Sequence, residues 1–141
     1  MLIEGGTEAR WDTSLKNWEE RLLNGLPLVP DLPLFEDEAA RAVRIFNRLR
    51  LPDVIGKPTM AEASGEWFTK IVEALFGSYD AEANVRLIQE VFLLVPKKNG
   101  KSSYAAAIMV VAMIMNRRPS AEYLLIAPTK EIAGISYRQA E

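Results

Sequence analysis

Apolar residues recur every three or four positions through the first half of the chain and gather into unbroken runs in the second half. Leu15, Trp18 and Leu22 mark one face of a short helix over about residues 14–24, with Ser14 as its cap and Gly25 as its stop. Pro27, Pro30 and Pro33 then set an extended linker. A second amphipathic helix is expected over about residues 36–50. It carries Ala39, Val43 and Phe46 on one stripe, beside Ala42, Ile45 and Leu49, and its acidic start and basic end suit the helix dipole.

Residues 51–63, rich in proline and glycine, read as a loop, followed by a helix over about residues 65–76 that opens after Ser64 and closes at Gly77. Trp67, Ile71 and Leu75 recur there at helical spacing, so Trp67 and Phe68 are candidates for core packing as well as for an aromatic platform under a base. Residues 78–84 read as a turn, and residues 85–95 contain a strand whose continuous apolar run, 91–95, suits a parallel strand covered on both faces.

The run 91–95 breaks at Pro96, passes through Lys97-Lys98-Asn99-Gly100-Lys101-Ser102-Ser103 and re-enters an apolar stretch that predicts a helix over 101–115. After Arg117-Arg118-Pro119 a second apolar strand is expected over 123–127, completing a right-handed βαβ crossover. A closing helix over 130–141 has Thr129 as its cap and Ile132 and Ile135 on its apolar face. The helix over 101–115 is apolar almost all round and needs cover on more than one side. Two parallel strands do not make a stable sheet, so the reading is of an α/β chain: residues 1–63 form an N-terminal helical region and linker, and residues 64–141 the front part of a larger, apparently truncated domain.

A strand, a tight loop and a helix in that order form a phosphate-binding device. Gly100 lacks a Cβ, so the backbone there can approach a phosphate or take positive φ, and Asn99 tolerates left-handed geometry. In the pattern G-x-x-x-x-G-K-[ST], Lys101 serves the outer phosphates and Ser102 gives its hydroxyl to magnesium. Ser103 follows at the helix start, and Lys97 and Lys98 add charge at the mouth. Where the common pattern has its first glycine this chain has Val95, followed by Pro96 with no N–H, so the loop opens with one backbone donor fewer.

With the segment YLLIAPTKEIAGISYRQAE, this loop resembles the ATPase region of tailed-bacteriophage terminase large subunits, which often carry P-[RK]-[KR]-x-G-K-[ST] without the first glycine. The resemblance implies a P-loop ATPase that binds ATP with Mg2+ and couples hydrolysis to packaging of double-stranded DNA into proheads. Implied partners are the portal protein, the small terminase subunit and further copies in a ring, in the cytoplasm of a host cell.

More loosely, residues 51–58 and 65–77 resemble the stretch that contacts adenine in terminases. Their usual Trp-Gln is Trp67-Phe68 here, and the glutamine that many relatives carry near position 132 is missing. The resemblance makes Lys101 and Lys97 the catalytic cations. It makes Pro96, Lys97, Lys98, Asn99, Gly100, Lys101, Ser102, Ser103 and Trp67 the nucleotide-binding set, with Ser102 on the metal.

Two other readings fit parts of the chain. LLIAPTKEIA resembles a motif of superfamily 2 helicases, although Lys97 and Asn99 do not fit their A-x-x-G-x-G-K-[ST] loop. A non-enzymatic interaction domain with a degenerate loop is the other.

Composition narrows the chemistry. The chain of 141 residues is 49% hydrophobic, ample for one packed core, and has no cysteine and no histidine. Disulfides, thiolate metal sites and imidazole bases are excluded, leaving carboxylates, lysines, hydroxyls and metal. Charge is uneven: residues 1–96 hold 10 basic and 16 acidic side chains, residues 97–141 hold 7 and 3. The basic part carries the loop with Arg117, Arg118, Lys130 and Arg138, as polyanion contact requires. The N-terminus lacks the pattern of a secretory signal, and the apolar stretch 104–115 is too short to cross a bilayer. Hydrolysis also needs an acidic residue at the end of a later strand, and no apolar strand ending in an acidic pair follows Ala127.

Overall fold

The computed structural model describes residues 13–80, 82 and 85–141. The segment 1–12, read above for a secretory signal, lies outside the described residues, as do parts of the turn expected over 78–84. Six helices and one small sheet are present among the described residues: α1 (Trp18–Leu23), α2 (Glu36–Arg48), α3 (Met60–Ala63), α4 (Glu66–Gly77), β1 (Tyr79–Asp80), β2 (Val85–Arg86), α5 (Lys101–Met115) and α6 (Lys130–Ala140).

Helices α2, α4 and α5 enclose the core. Phe46, Phe68, Val72 and Val111 are its largest fully buried apolar side chains, and Met60 from α3 and Tyr104, Ala107 and Met115 from α5 complete it. The apolar stripes expected on α2 are the ones that pack, with Ala39, Ala42 and Phe46 buried and Val43, Ile45 and Leu49 at the margin. Where α4 ends on the start of α2, a Cβ at Gly77 would come within 2.6 Å of the Leu34 side chain and 2.7 Å of Ala39 Cβ, so only glycine allows this close approach. The Phe35 N–H then bonds the Gly77 carbonyl at 2.9 Å.

Several expectations are corrected. Helix α1 begins at Trp18 with Asn17 as its N-cap, not Ser14, and its presumed apolar face is exposed at Trp18 and Leu22. The buried residue of α1 is Arg21. Its guanidinium donates to the Pro27 carbonyl (2.8 Å) and to both Asp31 carboxylate oxygens (2.9 and 3.2 Å), and so ties the proline linker back onto the helix. The hydrogen bonds and charge of Arg21 hold the Asp31 carboxyl below its usual range.

Within the expected loop 51–63, α3 forms on a reciprocal cap: the Glu62 N–H donates to Thr59 Oγ1 (3.3 Å), and the Thr59 N–H to Glu62 Oε2 (2.7 Å). The Thr59 N–H, then its hydroxyl, lowers the Glu62 carboxyl from its ordinary 4.5. A carboxyl lowered by folding stabilises the native state above its unfolded value, and that contribution is lost as pH falls through the folded value. Thr59→Ala should lower stability by about 1 kcal/mol near neutral pH and flatten the loss of stability on acidification. Thermal melts at pH 6 and pH 3 check this, and equal melting temperatures for variant and parent at pH 6 would sink it.

The ordered sheet is also not the one read from periodicity. It is an antiparallel pair of two strands, with Tyr79 opposite Arg86 and Asp80 opposite Val85. Residues 91–95 and 121–127 carry no assigned strand. A local hairpin closes with few ordered residues, whereas two distant parallel segments need further strands beside them to hold a ladder. The architecture described is therefore helix-rich α/β with a small antiparallel sheet.

A lysine-rich loop at the start of α5

Helix α5 starts where the sequence placed it, at Lys101, because Gly100 takes the left-handed conformation (φ 69°) and reverses the chain into the first turn. Lys98 is also left-handed at φ 66°, so the chain curls twice within three residues. The Asn99 side-chain amide holds this curl from inside, donating to the carbonyls of Pro96 (3.2 Å) and Lys97 (3.5 Å). The loop encloses a cavity of about 200 Å3 lined by Lys97, Lys98, Gly100, Lys101, Ser102 and Ser103.

Electrostatics sets α5 apart. Each of the other five helices has an Asp or Glu in its first turn, whereas α5 has none and no side-chain cap. The N–H groups of its first turn thus meet the cavity with no carboxylate to offset the positive end of the dipole, and three lysines line the same space. Lys101 folds back over the loop, its Nζ donating to the carbonyls of Val95 (3.4 Å) and Pro96 (3.3 Å). These are long, neutral-acceptor bonds, weaker than those an ammonium makes to an anion.

The structure therefore brings Lys97, Lys98, Gly100, Lys101, Ser102 and Ser103 together around one concavity, with Pro96 and Asn99 in its frame. The chain matches no described protein family, no curated protein and no solved structure. Trp67 stands outside the lining but close behind it. Half-exposed, its ring meets Phe68 edge-on at 5.3 Å and Tyr104 at 6.0 Å. Phe68, the other aromatic candidate, is core: it is 1% exposed and stacks on Tyr104 at 4.3 Å.

Tyr104 links that aromatic group to the loop, because a Cβ at Gly100 would lie 3.3 Å from its ring. Sequence reasoning missed Tyr104 as a support of the loop, although its place three residues beyond Lys101, on the buried side of an apolar helix, was the available signal. Of the basic residues singled out for polyanion contact, Arg117 pairs instead with Glu38 at the start of α2, fastening the end of α5 to the bundle. No cluster of three or more His, Cys, Asp or Glu side chains is present among the described residues. No helix among the described residues is long and apolar enough to cross a membrane.

Proposed function

We propose that residues 96–103 bind the phosphates of ATP with Mg2+, and that this chain is the nucleotide-binding front of a terminase-like DNA-packaging ATPase. The observation that carries the reading is the bare, lysine-lined start of α5, curled by left-handed Lys98 and Gly100 around a concave space. Inward N–H groups, a helix dipole and a reachable ammonium are the requirements of a triphosphate seat, and the residues present fit such a group.

In this reading the first-turn N–H groups of α5 and the Gly100 backbone bind phosphate oxygens. Lys101 leaves the Val95 and Pro96 carbonyls for the outer phosphates, where its bonds become charge-assisted. Lys97 stands across the mouth as a second cation, and the Ser102 hydroxyl holds the metal. Magnesium, when bound, offsets charge on the β- and γ-phosphates.

Residues 91–95 and 121–127 are proposed as neighbouring strands of a parallel P-loop sheet. Their side chains alternate in support of this. Leu93 packs on the core and the Tyr123 hydroxyl donates to the Ala112 carbonyl (3.1 Å), whereas Phe92, Leu94, Leu124 and Ile126 are 75–90% exposed. Double-stranded DNA, the portal, the small terminase subunit and a ring of copies belong to the same proposal, as does a nuclease activity in the intact protein. Saturable binding of a fluorescent ATP analogue, competed by unlabelled ATP with magnesium, is the expected result for the full chain. Absence of competable binding by folded protein would contradict the proposal.

A further inference from the structure

A second cavity, of about 170 Å3, lies on the other side of Ser103, between the segment after α2 and the end of α6. Leu51, Met60, Ala107 and Val110 make its walls apolar, and Gln139 contributes an amide. Ser103 lines both this cavity and the loop's, so the two are contiguous. The volume is several times the roughly 30 Å3 that one water occupies in the liquid.

The orientation of Gln139 is fixed by its neighbour. Its Nε2 donates to Asp53 Oδ2 at 2.9 Å, and because an ionised carboxylate only accepts, the amide nitrogen must face Asp53. Gln139 Oε1 is left buried with no hydrogen-bond partner. An unsatisfied buried acceptor destabilises the protein alone and becomes favourable once a donor reaches it.

We propose that this cavity seats the base of a nucleotide whose phosphates lie on the lysine-rich loop, with Gln139 accepting a hydrogen bond from the exocyclic amine of adenine. The inference rests on the phosphate-loop reading above. Flat apolar walls suit a purine face, and the lone acceptor selects for a donor. Guanine carries a carbonyl oxygen where adenine carries its amine, so in the same pose it would set acceptor against acceptor.

Calorimetric titration of the full chain with ATP, GTP and inorganic tripolyphosphate, each with magnesium, tests this. ATP should bind about tenfold more tightly than either of the others. Gln139→Met should bring ATP to the level of GTP without changing tripolyphosphate. Val110→Phe, which narrows the cavity, should weaken both nucleotides and spare tripolyphosphate. Equal affinity for ATP and tripolyphosphate in the parent protein would overturn the base site while leaving the loop standing, as would a Gln139→Met variant that keeps the preference for ATP. Binding of none of the three by folded protein would overturn the loop and the base site together.

Discussion

Lys101→Ala should weaken nucleotide binding on the order of a hundredfold while leaving the melting temperature within a degree or two. A hydrogen bond to a charged group contributes about 1.5–3 kcal/mol, which is roughly a tenfold to hundred-and-fiftyfold change in affinity. The upper part of that range applies because Lys101 would meet more than one phosphate oxygen. The fold should not respond, since the Lys101 side chain is exposed and its bonds are the two long contacts to the Val95 and Pro96 carbonyls. Alanine is also a better helix former than lysine at an exposed position. Titration with a fluorescent ATP analogue beside a thermal melt separates the two effects. Unchanged affinity in a normally folded variant would remove the lysine from the site.

The second large effect is expected from a residue that touches no ligand. Phe68→Ala should cost about 3–5 kcal/mol, a large share of the roughly 5–15 kcal/mol that holds a domain folded, and lower the melting temperature by roughly 10–20 °C. Phe68 is buried between the Phe46 ring at 5.6 Å and the Tyr104 ring at 4.3 Å, so its removal opens a cavity at the meeting point of α2, α4 and α5. Tyr104 then loses the ring it stacks on, and Tyr104 is what the Gly100 turn rests against. Nucleotide affinity should therefore fall together with stability, even well below the melting temperature. A variant with the parental melting temperature would show that the core does not depend on this ring.

What could be read from residues alone follows from how local each signal is. The bounds of α5 were legible because a left-handed glycine, a lysine and two serines stand directly before an apolar run. Thr129 was legible as a cap for the same reason, and its hydroxyl accepts from the Ile132 N–H at 3.3 Å. The amphipathic stripe of α2 is long enough for its period to be plain. Helix α3 was missed because four residues are too short to show periodicity, although the pattern Thr59-x-x-Glu62 carried the capping box in plain sight.

Longer-range features were not accessible in that way. The burial of Arg21 depends on Asp31 and the Pro27 carbonyl folding back over it, and no periodicity argument places an arginine inside. The bond from Gln139 to Asp53 joins residues 86 positions apart, so the cavity between them could not be seen in the chain. The apolar runs 91–95 and 121–127 are written as strand-like sequence, but strands are made by neighbours, and the hairpin at Tyr79–Asp80 and Val85–Arg86 is the pairing that closes locally.

Amide chemical-shift mapping of the isotopically labelled chain during titration with Mg-ATP tests the phosphate seat most directly. The largest changes should fall on the backbone N–H groups of residues 98–103, with smaller ones spreading through Tyr104. Changes centred on another part of the molecule, or none at saturating nucleotide, would contradict it.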